Sequence, residues 1–106
     1  MIRRSFRMTL KKGKIEEYKK RHDEIWPEIS QVLTQLGIKN YSIYYDSKDN
    51  TLIEYMELTD ENRFDEMEEI DIVKKWNIYM QDLLVTKSST NASPVEDELT
   101  EVFHHK

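Results

Sequence analysis

The chain has 106 residues, a length that suits one domain, residues 1–106, with one hydrophobic core and little to spare. Charged residues make up 35% and the net charge is −5, so neither a bilayer-spanning segment nor a non-specific nucleic-acid surface is expected. There is no cysteine, which excludes disulfides, thiolate metal sites and cysteine nucleophiles together.

Residues 2–10 alternate: Ile2, Arg4, Phe6, Met8 and Leu10 point one way, and Arg3, Ser5, Arg7 and Thr9 the other. That is a half-buried strand with Arg4 as its odd member. No long apolar stretch follows the basic N-terminus, so a signal peptide is not expected and a cytoplasmic protein is. Lys11–Lys14, with Gly13, forms a turn. A long amphipathic helix is expected from about Ile15 to Leu36, with Gly37 as its terminator. At about 100° per residue its apolar stripe runs through Ile15, Tyr18, His22, Ile25, Trp26, Ile29, Val32, Leu33 and Leu36. Pro27 should kink or break this helix between His22 and Pro27. It lacks the amide that would bond the carbonyl of Asp23, and it pushes Trp26 out of the helical region.

Tyr41–Tyr45 reads as a second strand, with Tyr41, Ile43 and Tyr45 on one face. Asp46–Asn50 is a polar turn, and Thr51–Leu58 a third strand, so 40–58 is a hairpin. Asp60 is placed to cap a short helix carrying Phe64 and Met67. Asp71 is placed to cap a second helix, with Ile72, Val73, Trp76, Tyr79, Met80, Leu83 and Leu84 at helical spacing. Thr86–Ala92 reads as a loop. Ser93-Pro94-Val95-Glu96 has the form of a capping box, with a helical turn after it and a last strand over Thr100–His105.

The order strand, helix, strand, strand, helix, strand is α+β and ferredoxin-like: a four-stranded antiparallel sheet with helices on one face. The other face would stay bare with tyrosine on it, which points to a homodimer with sheets facing each other, a dimeric α+β barrel.

His22 is the candidate for chemistry. An imidazole on a core-facing stripe is either a satisfied core histidine or a proton-handling group near its ordinary pKa of about 6.5. Tyr18, four residues earlier, shares its helical face. Trp76 and Tyr41 read as core or as the walls of a site for a small polar ring. His104 and His105 alternate along the expected last strand and cannot share one metal, so no metal site is expected. With only two glycines there is no phosphate-binding loop.

Arg21-His22-Asp23-Glu24-Ile25-Trp26-Pro27-Glu28 resembles the RH-x-x-IWPE signature of the L-rhamnose mutarotases. Asn40-Tyr41-Ser42-Ile43-Tyr44, the helix from Trp76 to Met80, Ser93-Pro94-Val95, and Leu99-Thr100-Glu101-Val102-Phe103 agree with that family in order and spacing. The resemblance implies a homodimeric isomerase that interconverts the α and β anomers of L-rhamnose without a cofactor. It implies His22 as proton donor, Tyr18 and Tyr41 as sugar-binding residues, and Trp76 as part of an aromatic wall. Where the family usually carries a second tryptophan this chain has Asn77, which leaves open a related 6-deoxy sugar. Because this architecture hosts unrelated functions, a ligand-binding α+β barrel without turnover is the alternative.

Overall fold

The computed structural model describes residues 1–106. Strand β1, Ile2–Thr9, follows the alternation: Phe6, Met8 and, just past its end, Leu10 are buried. Arg4 shares their face because its guanidinium lies over the rings of Phe6 and Phe64, 4.9 and 5.1 Å from their centroids. Its Nε and Nη2 donate to Glu98 at 2.8 and 2.9 Å, so the charge is paired and the stem covers apolar surface.

The expected long helix is two helices, α1 (Ile15–Asp23) and α2 (Pro27–Gln35). Trp26 is extended, at φ −60° and ψ 131°, and Pro27 opens α2, where a missing amide has no intrahelical partner to lose. Gly37 follows α2 at φ +82°, as a terminating glycine should.

The hairpin is β2 (Ile38–Asp46) and β3 (Thr51–Leu58), with β2 starting three residues before the expected Tyr41. Lys39 pairs with Glu57 but Ser42 with Tyr55, so Asn40 and Tyr41 together face one residue of β3. This bulge, with Asn40 at φ +46°, shifts the alternation by one, so that Ile38 and Tyr41, three residues apart, both turn inward.

Asp60 does not cap the next segment, a 3-10 helix over Phe64–Glu69. The Asn62 side chain accepts the Phe64 amide at 3.1 Å and takes that role. Nor does Asp71 cap α3 (Asp71–Met80). It is the first helical residue, preceded by extended Ile70, and its charge favours the helix N-terminus without a side-chain hydrogen bond. Leu83 and Leu84 lie beyond α3 but are buried all the same.

The expected loop over Thr86–Ala92 holds part of a small two-stranded sheet, β4 (Thr86–Ser88) and β5 (Asn91–Pro94). Ser93 does not open a helix. Its amide is taken by the Asn91 side chain at 3.0 Å, and the Val95 amide donates to the carbonyl of Val85 at 3.1 Å, so pairing holds this stretch extended. The last strand, β6, is Asp97–Leu99 and not Thr100–His105, which has no regular structure. The register is set earlier because Leu99, Glu98 and Asp97 pair with Ser5, Phe6 and Arg7.

The main sheet has the order β2-β3-β1-β6 and every pairing is antiparallel, as the ferredoxin-like reading expects. The helices pack on one face. One core cluster joins Met8, Leu52, Ile29, Val73 and Trp76; a second joins Phe6, Met56, Leu58, Leu36 and Ile38. Leu52 is 1% exposed, and cutting such a side chain to alanine costs about 2–5 kcal/mol. Tyr44 is 63% exposed on the opposite, uncovered face.

Candidate active site

A cavity of about 580 Å³ lies between the helices and the sheet, within the size range of small-molecule sites. Its lining is mostly apolar. Tyr18, His22, Tyr41, Trp76 and Asn77, separated in sequence by up to 59 residues (77 − 18), all reach it. These five come from three elements, two helices and a strand, and the fold brings all of them to one wall or another of the same space.

α1 supplies Tyr18 and His22. One helical turn apart, their rings stack at 4.3 Å between centroids. His22 Nδ1 lies 3.2 Å from the carbonyl oxygen of Tyr18. A carbonyl only accepts, so this contact places a proton on Nδ1 and leaves Nε2 as the free ring nitrogen. Burial lowers the basicity of His22 below the ordinary histidine value, opposed by the Tyr18 carbonyl and by Asp23, which favour the cation. The neutral imidazole is the resting form at neutral pH.

α3 supplies Trp76 and Asn77. Trp76 is buried and meets His22 edge-on at 5.5 Å. Trp26, freed from helical geometry by Pro27, stands edge-on to Trp76 at 5.0 Å and stacks on Tyr79 at 5.3 Å. Arg21 fixes α1 to the end of α3. Its guanidinium donates to the Tyr79 carbonyl at 2.7 Å and to Asp82 at 2.9 Å, and lies over the Tyr79 ring at 4.6 Å. The pair with Asp82, joined by one with Glu17, holds the guanidinium still more firmly charged than usual.

The sheet supplies Tyr41 and a group that the residue-by-residue reading overlooked, Glu54. It is a carboxyl at 3% exposure in the middle of β3. The Tyr41 hydroxyl donates to Glu54 Oε2, Glu54 Oε1 is shut off from solvent, and the carboxyl hydrogen-bonds the Glu96 side chain. Burial pushes the Glu54 carboxyl well above the usual carboxylate range, and Glu96, from the link between β5 and β6, adds to this; the Tyr41 hydroxyl opposes it. Burial, with the nearby Glu54 charge, also holds Tyr18 and Tyr41 above the ordinary tyrosine range. A signal for Glu54 existed: it falls in phase with Leu52, Met56 and Leu58, the inward residues of β3. Nothing comparable pointed to Glu96, which reaches the cavity only through the extended path of residues 91–99.

No three His, Asp or Glu side chains come together in a way that could hold a metal ion. The arrangement offers an aromatic wall, two phenols, an amide, one neutral imidazole and one protonated carboxyl. That is the equipment for orienting a polyhydroxylated ring and moving protons on it.

The chain matches a family profile described as L-rhamnose mutarotase over residues 3–105. It is 43% identical to an L-rhamnose mutarotase of Clostridium beijerinckii, over all of both chains. It is 46% identical to one of Listeria monocytogenes, over 92% of this chain and 91% of that protein. Among solved structures, an L-rhamnose mutarotase from Formosa agariphila superposes with a TM-score of 0.90 at 36% identity, over the whole of both chains.

Proposed function

The chain belongs to the L-rhamnose mutarotase family, and on that footing we propose that it is an isomerase interconverting the α and β anomers of L-rhamnose, with His22 as its proton-transfer centre. The observation that carries the reading is convergence: the motif histidine, two tyrosines and a tryptophan meet in one cavity of sugar size. Mutarotation opens the pyranose at the bond between the anomeric carbon and the ring oxygen, turns the aldehyde, and recloses on its other face. Neutral His22 Nε2 takes the proton of the anomeric hydroxyl as the ring opens, and the departing ring oxygen takes up a proton from water. The imidazolium returns it as the ring closes, so in that half His22 is the proton donor that the motif implies. Tyr18 and Tyr41 hold sugar hydroxyls, and Trp76 lays a face against the apolar side of the ring. The reaction consumes no oxidant or reductant, and the proposal includes no cofactor.

The rest of the assignment follows the same reading. The bare face of the sheet, with exposed Tyr44, meets that of a second copy to form the homodimer. No helix is long and apolar enough to cross a membrane. The proposal assigns the enzyme to the cytoplasm, with its sugar. Asn77 favours a second reading, a related 6-deoxy sugar, because an amide on the wall bonds a hydroxyl where an indole would stack.

Saturation-transfer NMR of α- and β-rhamnose tests this directly. Exchange should be fast with the wild-type protein and fall by about 10²–10⁴-fold in folded His22→Ala and His22→Asn proteins. Equal rates for wild type and variants remove His22 from the reaction. Faster exchange of fucose than of rhamnose by the wild type moves the assignment to the second reading, and binding of rhamnose without exchange makes the protein a binding module.

A further inference from the structure

One group on the cavity wall has no part in the proposal so far. Glu96 comes from the link between β5 and β6, is half-buried, and borders the same space as His22 and Tyr41. Behind it lies Glu54, which projects from the helix-facing side of β3 in register with Phe6 of β1 and Ile43 of β2. Glu54 is buried and its Oε1 is shut off from solvent, so its carboxyl serves its neighbours. Those neighbours are the Tyr41 hydroxyl, which donates to Oε2, and the Glu96 carboxyl, to which Glu54 is hydrogen-bonded. Tyr41, Glu54 and Glu96 thus form one row along the sheet side of the cavity, with its two ends at the open space and its middle sealed.

The protons in this row fix what each end offers a ligand. A phenol has one proton, and that of Tyr41 goes to Glu54. Toward the cavity Tyr41 is therefore an acceptor. Two carboxyls hydrogen-bond only through a proton that one of them holds. Glu54, in the middle of the sheet, holds it and donates it to Glu96, which is left with acceptor oxygens alone. We infer that Glu96 is a further sugar-binding residue, accepting a hydrogen bond from a ring hydroxyl other than the anomeric one, with Glu54 as the positioning residue that holds it at the wall. This rests on the mutarotase reading above and names what the sheet side of the site recognises: free hydroxyls that donate, one to Tyr41 and one to Glu96.

Stability alone does not account for this row. A strand position beside Leu52 and Met56 favours an apolar residue, and a carboxyl there loses its water. An apolar side chain at 54 would close the sheet at no such cost and would leave position 96 without need of a partner. A carboxyl at 54 is explained by what it holds, a second carboxyl kept at the edge of a mostly apolar cavity. In such surroundings a hydroxyl bonded to a carboxylate is stronger than the same bond in water. Elsewhere on the wall the polar groups already have their parts: His22 for the anomeric hydroxyl, Tyr18 for another, and Asn77 for the aromatic side.

The test is kcat and KM of rhamnose anomer exchange for the wild type and Glu96→Gln, with binding of the 2-, 3- and 4-deoxy sugars measured beside rhamnose. Glutamine keeps the size and turns one acceptor oxygen into a donor. Glu96→Gln should raise KM about 10-fold, the order for a hydrogen bond to a charged group, and leave kcat within about 3-fold. One of the deoxy sugars should bind the wild type about 10-fold more weakly than rhamnose and lose nothing further in Glu96→Gln. An unchanged KM, or the same loss for rhamnose and every deoxy sugar, overturns the assignment and makes Glu96 a partner of Glu54 alone. A fall in kcat at unchanged KM overturns it too. If Glu96→Gln does not fold, the ¹³C resonance of the Glu96 carboxyl in the wild type decides: it should move on titration with rhamnose, and a resonance that stays in place overturns the assignment. A wild type that binds rhamnose without exchanging it refutes the mutarotase reading instead, and the same comparison in dissociation constants still decides Glu96.

Discussion

The Nδ1 atom of His22 sits 3.2 Å from the carbonyl oxygen of Tyr18, one turn earlier in α1, and this contact decides which ring nitrogen is left free. A backbone carbonyl cannot donate, so the proton is on Nδ1 and the reactive lone pair is on Nε2.

The acid limb of the activity follows from this. Burial lowers the His22 pKa below its ordinary 6.5, so the base stays active into mildly acidic solution and is lost as pH falls through the lowered value. The profile of kcat/KM should turn down below pH 6.5, at the pH where the His22 ring itself titrates by NMR. A downturn well above the ring's own titration assigns that limb to another group.

Glu54 links stability to pH with the opposite sign. Its folded pKa is raised above the ordinary 4.5, so the folded chain holds this proton more tightly than the unfolded chain. The contribution is complete below 4.5 and is lost as pH rises toward the raised value, with a slope of up to about 1.4 kcal/mol per pH unit. Urea midpoints should therefore show Glu54→Gln gaining on the wild type between about pH 5 and about pH 8. A difference that stays constant over this range denies the buried protonated carboxyl.

Asn77 sets the character of one wall. Asn77→Trp should exchange an amide for a stacking face, worth about 0.5–1.5 kcal/mol, and lower the KM for L-rhamnose about 2–10-fold. The preference over galactose, which carries a 6-hydroxyl, should widen in the same competition. Weaker rhamnose binding in that variant shows that the wild-type amide holds a sugar hydroxyl.

Gly37 ends α2 at φ +82°, and a Cβ there would run into Thr59 and Asn62. Gly37→Ala combines left-handed strain with this collision and should cost at least about 1–3 kcal/mol by denaturant titration. Little loss means that the loop at Thr59–Asn62 yields freely.

Much of this architecture was legible in local pattern. The alternation of β1 and β3, the break at Pro27 and the terminating Gly37 follow from side-chain period and proline chemistry, and all appear where expected. The capping assignments at Asp60, Asp71 and Ser93 did not hold. At Asp60 a neighbour, Asn62, supplies the hydrogen bond; Asp71 lies inside the helix, which starts with no side-chain cap; and at Ser93 strand pairing holds the backbone extended. The bulge at Asn40–Tyr41 was hidden for a similar reason. It shows as the point where the pairing of β2 with β3 slips by one, which no single strand reveals. Glu54 was written into the phase of β3, but carboxylates on strands are usually solvated. Only the Tyr41 hydroxyl at the bulge and the Glu96 carboxyl, both brought to it by the fold, explain its burial.

Pro27 has an effect on the far side of the cavity. By ending α1 it lets Trp26 turn across to Tyr79 and Trp76, while Arg21 ties the same helix to the carbonyl of Tyr79. His22 is thus fastened to α3 on both sides, whereas Glu54 belongs to the sheet. His22 and Tyr41 line the cavity from separate layers, and the distance between them is a property of how those layers sit together. Turnover in this fold then works as a gauge of interlayer spacing. A conservative change in the packing beneath, at Ile29 or Val73, would register in rate before it registers in melting temperature.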